Sequence, residues 1–278
     1  MLLRFMHIPK TAGSTFRSIL SRQYRGKDQF SFSGEVASDT ARYKDLSERE
    51  RRGIELFLGH APISTGLKEA DDARIITFLR DPINRVKSFC QHVSEGKSPY
   101  LRVDFHPGAF SLDEFLESGN AELSNLQTKM LINSRDCTSP ALLEKMSSSE
   151  ARNMALANLF GKVSYFGLTE FFDESLIIFS QSLNWSIPVY VSINRREATS
   201  LLEFKERNLS RIAELNSIDI DVYNVAKARF MEIIESGDFD KTKLKYFQLM
   251  NTFFTLGMII RSQVKGLRIA PTRHGTSQ

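Results

Sequence analysis

The chain has 278 residues, 41% hydrophobic and 25% charged, which allows one or two globular domains and a sizeable core. Its net charge of +4, with no arginine- and lysine-rich stripe, argues against a nucleic-acid footprint and suits a ligand carrying several phosphates. Two cysteines, Cys90 and Cys137, make neither a disulfide framework nor a metal site and read as free thiols.

Residues 4–20 read as a strand, a turn and the start of a helix. Leu3, Phe5 and Ile8 lie in a strand-like run, Pro9 ends it, and Phe16, Ile19 and Leu20 then recur at helical spacing. The change of period places Lys10, Thr11, Ala12, Gly13, Ser14 and Thr15 in the turn. Thr11 and Ser14 are able to cap the helix, Gly13 admits an anion close to the backbone, and the first N–H groups carry partial positive charge. A Walker loop has its lysine after the glycines; here Lys10 precedes Gly13, which weighs against ATP or GTP hydrolysis. Alone, the turn is equally a plain strand-to-helix connection.

Residues 25–53 are polar and read as a solvated helix or loop. Ile54 to Leu58 is the next strand, ended by Gly59-His60-Ala61-Pro62. In open α/β sheets ligands collect outside the carboxyl ends of strands, so His60 stands where a general base belongs, with an unperturbed pKa near ~6.5. Glu35 is the alternative base, and His7 reads as a satisfied structural residue.

Residues 75–79 form a buried strand, Asp81 an N-cap and Pro82 a first helical residue; Val86, Phe89, Cys90 and Val93 make a core stripe. Arg85, Ser88 and His92 fall on the adjoining polar face. Arg80 at the strand end and Ser88 two turns into the helix are able to reach one phosphate.

Two anion turns about 70 residues apart are much more specific than one. Lys-Thr-Ala-Gly-Ser-Thr after His-Ile-Pro resembles the 5′-phosphosulfate loop of sulfotransferases that use 3′-phosphoadenosine 5′-phosphosulfate (PAPS). Leu-Arg-Asp-Pro-x-x-Arg-x-x-Ser resembles their 3′-phosphate motif. Gly59-His60 is similar to the position of the catalytic base in the heparan sulfate 2-O-sulfotransferase-like family. Animal members of such enzymes carry an N-terminal membrane span. This chain starts almost directly in its first strand, and the expectation is a cytoplasmic protein without an anchor helix.

Further along, residues 94–112 form a long loop in which Tyr100, Arg102 and Phe105 either line an acceptor cleft or pin the loop to the core. Helices are expected at 112–118 and 121–132. Asn125-Leu-Gln-Thr-Lys-Met-Leu resembles a family stretch associated with the acceptor side, with Asn125, Gln127 and Lys129 as its polar residues. Ser147 caps a helix containing Met154, Ala155 and Leu159. A strand at 162–168 and a helix with Phe172, Leu176, Phe179 and Leu183 inside follow; Phe-Gly-Leu-Thr-Glu is similar to a family block near the adenine. Ile187 to Ile193 is a short strand candidate. By the resemblance, Arg195 and Arg196 form a flap over the 3′-phosphate, and Asn216-x-x-Asp-x-x-x-Tyr223 on the helix at 216–236 resembles the closing block. A last helix buries Phe247, Met250, Phe254 and Met258.

The expected architecture is a single α/β domain over 1–265 with a mainly parallel sheet of P-loop-like topology, and a frayed tail at 266–278. The expected reaction moves a sulfuryl group from PAPS to a hydroxyl of a glycan or small alcohol, leaving 3′-phosphoadenosine 5′-phosphate (PAP). His60 is the base, Lys10 and the turn stabilise the leaving phosphate, and Arg80 with Ser88 anchors the 3′-phosphate. No metal-ligand cluster is visible, and none is expected to be needed. A kinase-like phosphotransferase or a non-catalytic nucleotide- or glycan-binding module is the alternative.

Overall fold

The structure, a computed structural model, describes residues 2–132, 143, 145–191 and 202–264. Five strands, β1 (Leu3–Met6), β2 (Asp28–Phe32), β3 (Ile54–Gly59), β4 (Arg74–Leu79) and β5 (Val163–Leu168), form one sheet in the order β2-β3-β1-β4-β5. Every pairing is parallel, and Phe5 of β1 sits opposite Leu58 on one side and Ile76 on the other. All four β1 residues are buried, as a central parallel strand covered on both faces requires. This is the α/β, P-loop-like sheet expected from the sequence.

Side chains alternate between two cores. Leu3, Phe5, Ile76 and Phe78 face helices α1 (Gly13–Gln23) and α9 (Phe172–Leu183), where Phe16, Ile19, Leu20, Leu176 and Phe179 pack on them. Met6, Ile75 and Leu79 point the other way, toward α7 (Leu126–Ile132), α8 (Ser148–Gly161) and α11 (Ser217–Glu235). A third cluster joins α5 (Pro82–Ser94) to α6 (Leu112–Leu116) and α10 (Glu206–Leu215) through Val86, Phe89, Cys90, Phe115 and Ile212. Asp81 caps α5 by accepting the Asn84 N–H at 2.9 Å, and Ser147 with Glu150 makes a capping box on α8, both as read from the sequence.

The polar stretch 25–53 is more structured than expected. It contains β2 and the helices α2 (Val36–Asp45) and α3 (Glu48–Gly53). As an edge strand β2 buries only Phe30 and Phe32, a two-residue alternation hidden by its polar neighbours. Gly59 fixes its approach to β3, because a Cβ there would lie 2.1 Å from the Phe32 carbonyl oxygen and φ is +128°.

Arg85 is not on a polar face. It is fully buried, with its guanidinium donating to the Glu122 carbonyl at 2.6 Å. Residues 187–191 are irregular rather than a strand; 192 and 193 lie outside the described residues, as do Arg195, Arg196, Cys137 and the tail from 266. Among the described residues the remaining α-helices are α4 (Lys68–Asp71) and α12 (Lys241–Val264). Among the described residues no helix is long and apolar enough to cross a membrane.

Candidate active site

All five strands deliver residues from their carboxyl ends into one cleft of about 1350 Å³. These are Glu35 after β2, His60 after β3, His7 and the Lys10–Thr15 turn after β1, Arg80 after β4 and Thr169 after β5. The chain leaves β1 toward β2 and β3 on one side and later reaches β4 and β5 on the other. The cleft thus sits at the switch point of the sheet.

The turn is built by the backbone. Lys10 and Ala12 adopt left-handed conformations at φ +71° and +63°, which non-glycine residues rarely take, and Ala12 is the N-cap of α1. Thr11 does not cap the helix: its buried hydroxyl donates to the Ile8 carbonyl at 2.9 Å and folds the turn on itself. No side chain caps α1, so its first N–H groups face the cleft at the positive end of the helix. Gly13 also serves the packing behind the turn, since a Cβ there would lie 1.7 Å from His7 Nε2.

His7 is not a satisfied structural residue. Its ring stacks on Phe5 at 5.3 Å and lies tilted against His60 at 4.3 Å, and its buried Nδ1 has no hydrogen-bond partner. Burial first, then the neighbouring His60, Arg17 and Lys10, push its pKa well below the usual imidazole value. His60 places Nδ1 3.0 Å from the His7 carbonyl oxygen. A carbonyl only accepts, so Nδ1 carries the hydrogen and Nε2 of the neutral ring keeps its lone pair. Burial lowers the His60 pKa, against the His7 carbonyl and Glu122, which raise it. The ring is therefore neutral at pH 7.

Arg80 is locked from three directions. The Gln127 side chain accepts its N–H at 2.9 Å and donates to its carbonyl at 2.8 Å, while its guanidinium donates to the Lys10 carbonyl at 3.0 Å. Asp81 N–H donates to Glu170 at 3.0 Å, and Glu170 accepts the Tyr223 hydroxyl at 2.8 Å. The two predicted anion turns are thus joined, and Ser88 of α5 lines the same cleft. Lys87, Asn84, His92 and Glu122, from α5 and the loop before α7, complete that wall.

In the family-like stretch Asn125 to Leu131 it is Leu126 and Met130 that line the cleft, not the polar Asn125, Gln127 and Lys129. Gln127 and Lys129 are buried, Lys129 donating to the Ala121 carbonyl and Ser124 hydroxyl at 2.8 and 2.9 Å. Asn125 Oδ1 accepts the N–H groups of Ile218 and Asp219, and Asp219 in turn accepts those of Gln127 and Thr128. In the long loop, Tyr100 lines the cleft and its hydroxyl donates to Glu122, whereas Phe105 packs on Phe115 and Arg102 donates to the Gly96 carbonyl. That loop is therefore pinned at one end and open to ligand at the other.

Sequence reasoning missed His7, Gln127 as the Arg80 clamp, and Glu122; a histidine before the phosphate turn was the only signal for the first. Among the described residues no group of three or more His, Cys, Asp or Glu is arranged to hold a metal ion.

No family model matches the chain. It is similar to heparan-sulfate 6-O-sulfotransferase 2 of Gallus gallus, 28% identical over 181 residues, covering 56% of this chain and 44% of the relative. It is similar also to heparan-sulfate 6-O-sulfotransferase 2 of Homo sapiens, 25% identical over 274 residues with 83% and 45% covered. The chain spans less than half the length of these relatives. They bear the 6-O name, where the motifs pointed to the 2-O type. A solved mouse sulfotransferase, SULT7A1 complexed with PAP, aligns over 88% of both chains at 10% identity and a TM-score of 0.40, too distant to bear on the assignment.

Proposed function

We propose that the chain is a PAPS-dependent O-sulfotransferase acting on a glycan. The observation that carries the reading is the fixed tautomer of His60, whose Nε2 lone pair shares a cleft with the uncapped start of α1, Lys10 and Arg80. The heparan-sulfate relatives support the same reaction class.

The donor set fits a bisphosphate nucleotide. The left-handed Lys10 and Ala12 turn the backbone so that the start of α1 would receive a phosphate, with Gly13 leaving room for the His7 ring behind it. Arg80 and Ser88 would hold the 3′-phosphate, and Phe172 and Tyr190, which line the same cleft, would meet the base. When bound, PAPS supplies a sulfuryl group on a good leaving phosphate.

His60 Nε2 takes the proton of the acceptor hydroxyl as that oxygen bonds to sulfur. Lys10 with the α1 N–H groups would meet the negative charge that develops on the 5′-phosphate as its bond to sulfur gives way. The neutral state of His60 at pH 7 suits this role. The fork of Arg80, held against Lys10, keeps both phosphates in one frame.

Calorimetric titration with PAP, and with ATP and magnesium in parallel, tests the donor. Incubation with PAPS and heparan-type glycans, followed by analysis for 6-O and 2-O sulfate, tests the reaction. Tight PAP binding, weak ATP binding and sulfate appearing on a glycan hydroxyl are expected. ATP preference would transfer the site to a phosphotransferase, and PAP binding without transfer to any glycan would leave a binding module.

A further inference from the structure

The last described helix carries a second apolar face that the fold does not use. Helix α12 packs on the domain through Phe247, Asn251 and Thr255, at four-residue spacing; Asn251 accepts the Tyr190 N–H at 2.6 Å and Phe247 stacks on Tyr190. Tyr246, Leu249, Phe253, Leu256 and Ile260 each remain at least half exposed. Their spacing of three, four, three and four residues makes one straight stripe, roughly 20 Å long at 1.5 Å per residue, on the side of the helix away from the core. Scattered exposed apolar residues need no explanation; a continuous row of five does.

Charge identifies what covers it. Asp240, the last acidic residue of the chain, is spent capping α12 by accepting the Lys243 N–H at 2.7 Å. From Lys241 to Gln278 there are seven Lys or Arg and no Asp or Glu. The chain's 37 basic and 33 acidic residues thus divide into 30 and 33 before Lys241, and seven and none from it. The whole of the positive balance belongs to this segment. Lys245 and Arg261 stand at the two ends of the stripe, and Arg22 of α1 lies over the Phe254 ring at 5.5 Å beside it.

A second copy of the same helix is a poor partner, because paired heptad helices place opposite charges beside their apolar seam and two copies here bring only cations together. An anionic lipid surface is complementary in both respects. Apolar side chains enter the headgroup and acyl boundary while lysines and arginines reach the phosphates. The helix is not apolar enough to span, so it would lie in the plane of the surface. We propose that α12 binds an anionic membrane surface through Tyr246, Leu249, Phe253, Leu256 and Ile260, with its basic residues facing the lipid phosphates. This rests on α12 alone and is independent of the sulfotransferase reading.

Flotation of the full chain with vesicles of phosphatidylglycerol and phosphatidylcholine in equal parts, and of phosphatidylcholine alone, tests it. Binding to the anionic vesicles is expected to exceed that to the neutral ones about tenfold and to weaken as salt rises. Phe253→Glu with Leu256→Glu should reduce that binding about tenfold or more, with circular dichroism and thermal midpoint unchanged. Phe253→Ser with Leu256→Ser serves as the milder pair should the acidic one fail to fold. The proposal is overturned if the chain does not float with anionic vesicles, or if the variants float as well as the parent. It is equally overturned if light scattering shows a dimer that the variants convert to monomer, which would give the face to a second copy.

Discussion

At the scale of single residues, the proposed transfer turns on one imidazole nitrogen. His60→Ala should lower transfer by about 10² to 10⁴-fold, the usual worth of a positioned base, with the dissociation constant for PAP nearly unchanged. Retained activity with intact nucleotide binding would move the base to Glu35, which also lines the cleft. Because burial lowers the His60 pKa, the acid limb of kcat/KM should fall below the ordinary imidazole value of ~6.5: His60 must be neutral to accept a proton, and activity is lost only as pH drops through the lowered value. Glu122 opposes that lowering, so Glu122→Gln should carry the limb to still lower pH. A shift the other way would show that Glu122 does not act on His60. Gly13→Ala tests the packing behind the turn. Its Cβ would enter the space of His7 Nε2, and the ring or the helix start must move. A loss of roughly 1–3 kcal/mol in stability, together with weaker PAP binding, is expected from titration and thermal melts.

Among elements, the loop after β4 is held by helices that lie outside the two turns. Gln127 is buried and satisfies both backbone groups of Arg80, so Gln127→Leu strands a donor and an acceptor at about 1–3 kcal/mol each. As a positioning residue it should weaken PAP binding about tenfold while leaving the KM for acceptor almost unchanged. A rise in acceptor KM with normal PAP affinity would restore the acceptor-side role suggested by the family-like stretch. The contrast shows what was legible in the sequence. Phe16, Ile19 and Leu20, or Val86, Phe89 and Cys90, announce helices because burial of one face leaves a 3.6-residue period. The two turns could be read because Pro9 ends a strand-like run and Asp81 with Pro82 starts a helix, each by a local backbone rule. Gln127, Asn125 and Asp219 were illegible as structural groups: their partners lie 47 to 94 residues away, and a polar residue bonded inside looks the same in sequence as one on the surface. Arg85 misled for the same reason, since its period puts it beside Ser88 while tertiary packing buries it.

For the molecule as a whole, the same strand ends that assemble the site also concentrate groups whose protonation opposes folding. His7 and His60 titrate below their ordinary value, so between those lowered values and ~6.5 the unfolded chain binds protons that the native chain refuses, and stability falls as pH drops through that window. A second loss comes lower. Arg4, fully buried in β1, donates to Asp71 at 2.7 Å and to the Pro62 and Ile63 carbonyls, and so ties down the segment that follows His60. Burial works to raise the Asp71 pKa, but hydrogen bonds from Thr65, the Arg4 charge and the Gly66 N–H outweigh it and hold the carboxyl below its usual value. Its contribution is present above the unfolded carboxylate pKa near ~3.9 and is lost as pH falls through the folded one, leaving Arg4 buried without its counter-charge. Urea unfolding from pH 8 to pH 3 should therefore show two declines, one beginning near ~6.5 and one below ~3.9. His60→Ala should reduce the first decline to the share that His7 contributes and leave the second, and Asp71→Asn should destabilise by about 3–5 kcal/mol at neutral pH while removing the second. A stability that rises between pH 6.5 and 5 would mean that an acidic partner meets the imidazoles in the folded state. Since PAP binding does not require His60 as a base, activity lost at mild acidity with PAP affinity intact reports the base, whereas joint loss of both reports the unfolding of the strand ends beneath it.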